Sequence, residues 1–369
     1  MSPRRGLGFQ GTWFWCEGVD LRHDRGVGRP SIRPVRWSPP RAPVRARRDT
    51  SEVPLPDLRV FDVDGEGPED VLVDAGDGSV LTGVADGRVL RLRPEDGTVT
   101  VVADTCGRPL GLEWLPDGRL LVCDADRGLL AVDPDTGSIE VLVTQAGGRR
   151  VGFCNNAAVS EDGTIWFSDS STRFGIDDWK ADILEHSGTG RLLRRDPNGA
   201  VEVVGEGLQF PNGVALAGTP PRVLVAQSGS YALSTCTTRP EPQAPTALLT
   251  NLPGFPDNIA TGTDGLVWVA LASPRNPVVD RLAPLPGQVR QLVWALPDAV
   301  QPQPASQVWV VAVDSHSGRV MHDLQGTHPE FGMTTGVREH RGTVWLGSLV
   351  GTTIACLDTP SRPSGHRPA

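Results

Sequence analysis

One short phrase recurs six times along this chain and restricts the fold more than any other feature. A tight turn leads at once into a four-residue β-prone run. Asp77-Gly78 precedes Ser-Val-Leu-Thr, Asp117-Gly118 precedes Arg-Leu-Leu-Val, and Asp162-Gly163 precedes Thr-Ile-Trp-Phe. Asp264-Gly265 precedes Leu-Val-Trp-Val, Arg341-Gly342 precedes Thr-Val-Trp-Leu, and Pro220-Pro221 precedes Arg-Val-Leu-Val. Counted from the residue before each run, the spacings are 40, 45, 58, 44 and 77. Repeats of this size, made of short strands and turns, stack their half-covered faces into a ring. The prediction is an all-β fold, a six-bladed β-propeller of four-stranded antiparallel blades. Each recurring run is read as the inner strand of its blade, paired with a following run such as the one at 88–92.

The strand-like alternation ending residues 51–63 is expected to close the ring against the last blade, which removes an exposed sheet edge. The propeller then covers 51–360, after an Arg/Pro-rich leader at 1–50 expected to be poorly ordered and before a tail at 361–369. The two long spacings contain 170–189 and the Pro-rich 274–304. Both are expected to be loops over one face, where specificity commonly resides, with a turn or two of helix near 177–185.

Charge and cysteine usage narrow the function classes. The formal net charge is −9. Residues 1–50 hold eleven Arg against four acidic residues, net +7, which leaves −16 on the remainder. Such a surface argues against nucleic acid as the main partner. No apolar run is long enough to span a bilayer and no signal-peptide core is visible, so a cytoplasmic location is expected. None of the six cysteines forms a CxxC or a zinc-like pairing with His, and free buried thiols are the default, with a Cys106–Cys123 bridge as the alternative.

The openings of the inner strands carry the chemistry. Glu69 (Gly-Pro-Glu-Asp), Asn155 (Cys-Asn-Asn), Asn212 (Phe-Pro-Asn-Gly) and Asp257 (Phe-Pro-Asp-Asn) occupy equivalent places, with Leu110 and Thr335 in the other two blades. Ring closure would point four oxygen-bearing side chains into one channel mouth. Two carboxylates facing each other there repel, and a divalent cation relieves that repulsion. Two charged and two neutral oxygens suit Ca²⁺, with Mg²⁺ or Mn²⁺ as alternatives, and the absence of His and Cys argues against zinc. Any one of these residues alone reads as a turn former. Their shared position in the repeat is what favours a metal site.

These motifs resemble the SMP-30, gluconolactonase and strictosidine-synthase-like superfamily, over about 34–358. The segments Cys106 to Leu112, Asp169 to Phe174 and Thr335 to His340 resemble the strictosidine-synthase-like branch in particular. The resemblance implies a six-bladed propeller, a catalytic divalent metal on Glu69, Asn155, Asn212 and Asp257, and hydrolysis of small-molecule lactones or related esters. A calcium-dependent lactonase or arylesterase is the expectation, with the activated carbonyl attacked by water or by Asp257. Asn156, Asn258, Glu339 and His340 are expected around the metal or the substrate. Two departures from the family pattern stand out. Asn155-Asn156 occupies the place of an Asn-Asp pair, and Gln227 and Ala232 replace an expected Glu and Arg. The alternatives are a strictosidine-synthase-like lyase condensing an amine with an aldehyde, for which Glu339 would serve, and a non-catalytic binding scaffold.

Overall fold

The computed structural model describes residues 29–47, 54–238 and 243–360. Six four-stranded antiparallel sheets form a six-bladed β-propeller. In sequence order the first strands of blades 1 to 6 are Leu72–Val73, Pro109–Trp114, Cys154–Val159, Pro211–Ala217, Gly254–Thr261 and Thr334–His340. The ring closes as expected. Strand Arg59–Asp62 pairs antiparallel with Thr353–Asp358 of blade 6, with Val60 opposite Ala355 and Phe61 opposite Ile354.

The recurring run is not the innermost strand. It is the second strand of each blade, as in Val80–Gly83, Leu120–Asp124 and Val267–Pro274. Neighbouring blades cover both of its faces, so nearly every residue in it is buried and the apolar run is continuous. The preceding motif-bearing strand lines the axis.

The turns into these runs share one device. The Asp side chain accepts a hydrogen bond from the amide two residues on: Asp77 from Ser79 at 2.9 Å, Asp117 from Arg119, Asp162 from Thr164 and Asp264 from Leu266, each at 3.0 Å. The intervening Gly takes positive φ, 74° at Gly78 and 87° at Gly118, where a Cβ would be strained.

Tryptophans in the second strands fill the seams between blades. Trp166 packs with Val214 and Val223 of blade 4, Trp268 with Val337 and Val344 of blade 6, and Trp345 with Val71 and Val80 of blade 1. In blade 3, Arg191 and Asp169 form a fully buried pair at 2.6 Å. Blade 4 lacks that pair. Gln227 accepts from the Gln209 amide at 2.9 Å and donates to Ser234 at 2.6 Å, so a neutral amide ties the blade edge.

Both long insertions lie over the same end of the channel. In 170–189 a helix forms at Trp179–Glu185. The stretch 274–304 is more ordered than its prolines suggested, with helices at Pro277–Leu282 and Gly287–Ala295. Pro277 sits at the first helical position, where its missing N–H costs nothing. The Asn276 side chain before it accepts from the amides of Val278 and Val279.

Part of the leader is also ordered. Residues 29–47 cross the insertions as a strap. Val35 donates its amide to Glu185, the Trp294 indole donates to Pro30, and Trp37 stacks on His186 with ring centroids 4.1 Å apart. Cys123, Cys154, Cys236 and Cys356 are free and buried, so no Cys106–Cys123 bridge forms. Cys106 is disulfide-bonded, and Cys16 lies outside the described residues.

Candidate metal centre

The channel mouth is built from two adjacent positions in each first strand or the approach to it. The first position supplies Glu69, Leu110, Asn155, Asn212, Asp257 and Thr335, and all six line one cavity of about 110 Å³. The second position alternates around the ring: Asp70, Gly111, Asn156, Gly213, Asn258, Gly336. The alternation has a steric cause. A Cβ on Gly213 would lie 2.2 Å from the Ile259 amide nitrogen, one on Gly111 2.6 Å from the Asn156 Cα, and one on Gly336 2.7 Å from the Asp70 Cα. Polar side chains in the alternate blades therefore reach across to their neighbours. Asp70 accepts from the Leu112 amide at 3.0 Å, and Asn156 Oδ1 accepts from the Val214 amide at 2.9 Å.

Hydroxyls from one blade hold the strand of the next. Ser168 donates to the Asn212 carbonyl at 2.6 Å, Ser170 to the Pro211 carbonyl at 2.7 Å, and Thr335 to the Glu69 carbonyl at 2.8 Å. The backbone at Asn212 and at Glu69 is thus held by hydroxyls of the preceding blade.

The electrostatics of this mouth are unfavourable as they stand. Burial drives the Glu69 carboxyl well above the usual range, with Asp257 and Asp70 adding to the rise. Burial pushes Asp257 up to about 8, with Asp70 adding to the rise, while a hydrogen bond from Asn212 pulls the other way. Asn258 steadies Glu69, donating Nδ2 to both carboxylate oxygens at 3.1 and 3.2 Å. Behind the ring, Arg338 of blade 6 pairs with Glu113 of blade 2 at 3.0 Å, past the two-residue first strand of blade 1.

Four buried oxygens at the mouth have no hydrogen-bond partner among the described residues: Asn155 Oδ1, Asn212 Oδ1, Asp257 Oδ1 and Asn258 Oδ1. Leaving such acceptors dry costs about 1–3 kcal/mol each. The amide of Asn155 is oriented by Nδ2 donating to Ser170 at 2.9 Å, which leaves its oxygen unpaired. Unpaired oxygens beside two crowded carboxyl groups fit a hard divalent cation. No three His, Cys, Asp or Glu side chains converge as a metal site among the described residues, and here half of the donor set is Asn.

Glu339 and His340 are not part of this cavity. They end the first strand of blade 6, whose other end supplies Thr335. The Glu339 carboxylate accepts from Thr263 Oγ1 at 2.9 Å and from the Gly342 amide at 2.7 Å, pinning the turns of blades 5 and 6. Asn156 and Asn258 do adjoin the ring.

The walls escaped sequence reasoning. Phe153, Phe210, Phe255 and Met333 each precede a ring residue by two and line the cavity. The constant offset was the available signal. The insertions complete the wall, with Ile176, Trp179 and Ile183 from one and Val279 from the other.

The model of the SMP-30/gluconolactonase/LRE-like region matches residues 65–306. The chain belongs to that family. The rat adipocyte plasma membrane-associated protein is 32% identical over 329 residues, covering 82% of this chain and 86% of the relative. The Arabidopsis thaliana protein STRICTOSIDINE SYNTHASE-LIKE 13 is 30% identical over 326 residues, covering 80% of this chain and 78% of the relative. Among solved structures, a Xanthomonas campestris gluconolactonase has a TM-score of 0.60 at 20% identity, covering 90% of this chain and 99% of its own. A calcium-binding regucalcin from Agrobacterium tumefaciens has a TM-score of 0.55 at 14% identity, covering 82% of this chain and 97% of its own. At these identities the structures speak for the fold alone. The family's relatives overturn the expected cytoplasmic location, because those from rat, mouse and human are named for association with the plasma membrane. No helix among the described residues is long and apolar enough to cross a membrane. That observation does not assign a compartment, since surface attachment needs no span.

Proposed function

We propose that this chain is a divalent-cation-dependent hydrolase of small-molecule lactones or related esters, with Ca²⁺ the ion its donors suit best. The observation that carries the reading is the set of unpaired oxygens and crowded carboxyl groups at the foot of an apolar cavity. Glu69, Asn155, Asn212 and Asp257 would hold the cation. When bound, it supplies polarisation of the ester carbonyl and stabilisation of negative charge developing on that oxygen.

The chain's own residues do the rest. The Phe153, Phe210 and Phe255 rings and the helix Trp179–Glu185, which lies over the mouth as a lid, keep bulk water away from the reacting carbonyl. Asn258 and Asn212 hold the two carboxyl groups in place. Asp257, once ionised, accepts a proton from the attacking water and passes it to the departing alkoxide. Alternatively it attacks the carbonyl itself, breaking the ester C–O bond to give a mixed anhydride and an alkoxide that takes a proton from water, after which a second water cleaves the anhydride. The amine–aldehyde lyase reading through Glu339 is the weaker one, because that carboxylate is committed to the blade 5 and blade 6 turns.

The test is turnover of a lactone and aryl-ester panel with and without EDTA, on wild type and Asp257→Asn. Chelation is expected to abolish hydrolysis and added Ca²⁺ to restore it, while Asp257→Asn loses at least about 10²-fold in kcat. The same variant, freed of metal, is expected to melt no lower than metal-free wild type, because it removes a carboxyl group that burial disfavours. Hydrolysis indifferent to both EDTA and Asp257→Asn would overturn the reading. A protein that binds Ca²⁺ and hydrolyses nothing would be a scaffold.

A further inference from the structure

We propose that Lys180 is a specificity-determining residue that selects substrates carrying a carboxylate at the end remote from the scissile ester. This deepens the hydrolase reading and rests on it. Lys180 is the only lysine of the chain. Among the described residues it is also the only cationic side chain lining the cavity, whose other charged groups are Glu69 and Asp257.

Its setting separates it from four arginines of the strap and insertions: Arg290 is buried on the Leu184 and Val35 carbonyls, and the other three are in ion pairs. Arg173 pairs with Glu185, Arg275 with Asp280 at 2.9 Å, and Arg29 with Asp298 at 2.7 Å. Lys180 has no carboxylate within ion-pair distance among the described residues. Its Nζ donates to the neutral Gln303 Oε1 at 3.0 Å and lies 5.7 Å from the Trp179 ring centroid. An ammonium carries three donors, so donors remain beyond the one used. Gln303 comes from the opposite insertion, and the ammonium therefore stands where the two lids meet.

The cavity is polarised as a result. Its floor, in the first strands, is a ring of oxygens, its walls are apolar, and its roof holds one partly satisfied cation. An amphiphilic acid ester matches that order, with the ester carbonyl at the ring, the chain along Phe153, Phe210 and Phe255, and the carboxylate replacing the Gln303 amide on Nζ. A carboxylate is a stronger partner than an amide because the bond is charge-assisted. A polyhydroxylated substrate would find few partners on these walls.

The deciding experiment measures binding rather than turnover. Hexananilide and adipic acid monoanilide, alike except for the distal carboxylate, are titrated calorimetrically into the Ca²⁺-loaded protein. Wild type is expected to bind the acid at least about tenfold more tightly. Lys180→Met, which keeps the apolar stem, is expected to reduce that ratio to about one, and Lys180→Arg to retain most of it. Equal affinities in wild type, or an undiminished ratio in Lys180→Met, would overturn the proposal. Because binding is the readout, a failure to hydrolyse the matching phenyl esters would instead count against the hydrolase reading.

Discussion

At the scale of single residues, the channel mouth depends on which positions carry no side chain. The ring alternates polar residues with Gly111, Gly213 and Gly336 because adjacent first strands approach until a Cβ would meet backbone. A backbone atom cannot swing aside as a side chain can. Gly213→Ala is therefore expected to cost roughly 3 kcal/mol, at the upper end of overpacking penalties, and to displace Asn258 from Glu69. Urea unfolding with a parallel Ca²⁺ titration checks both effects. A loss below about 0.5 kcal/mol with unchanged Ca²⁺ affinity would show that the strands can separate. The oxygen-bearing half of this arrangement was legible in the sequence, since Glu69, Asn155, Asn212 and Asp257 share one place in the repeat. The aromatic half was not, since a Phe two residues earlier looks like any strand residue until the ring turns it inward.

At the scale of elements, the lid helix Trp179–Glu185 carries its own pH response. Asp182 is buried, and its carboxyl is pushed up to about 6 by burial, with hydrogen bonds from Ser171 and Thr189 opposing the rise. A raised carboxyl means that the folded state holds the proton more tightly than the unfolded chain. The stabilisation is complete below the unfolded value near 4 and is lost as pH rises through about 6. Asp182→Asn, neutral at every pH, is expected to exceed wild type in stability by roughly 1–3 kcal/mol at pH 8, and to show no such gain at pH 4. Denaturant midpoints at the two pH values test this, and an equal gain at both would remove ionisation as the cause. The helix at 179–185 was legible from the sequence. The two helices in 274–304 were hidden behind a proline count, although Asn276-Pro277 is a start signal that reads correctly once Pro is placed at the first helical turn.

At the scale of the molecule, the N-terminal part of the chain does two separable things. Residues 29–47 strap the insertions together, and Arg59–Asp62 closes the ring on blade 6. Removal of 1–47 is expected to leave a cooperatively folding propeller with a lower melting temperature and a lid more open to protease. Removal of 1–62 exposes the edge of Thr353–Asp358 and breaks the circle. That truncation is expected to give association or a non-cooperative transition in scanning calorimetry and size-exclusion chromatography. Matching behaviour of the two truncations would deny Arg59–Asp62 its closing role.

The sequence by itself determined the blade count, the closing strand and the four ring oxygens, because each is written in local signals that repeat at corresponding places. It assigned the recurring run to the wrong strand, since continuous burial marks both a second strand and an innermost one. Only the tertiary structure decided which side chains meet. Glu339, a candidate from its motif, lies at the far end of its strand and serves the turns, while Lys180, an unremarkable lone lysine in the sequence, is carried over the cavity by an insertion. Strand and turn preferences act between neighbours in the chain, whereas the company a side chain keeps is set by the closure of the ring.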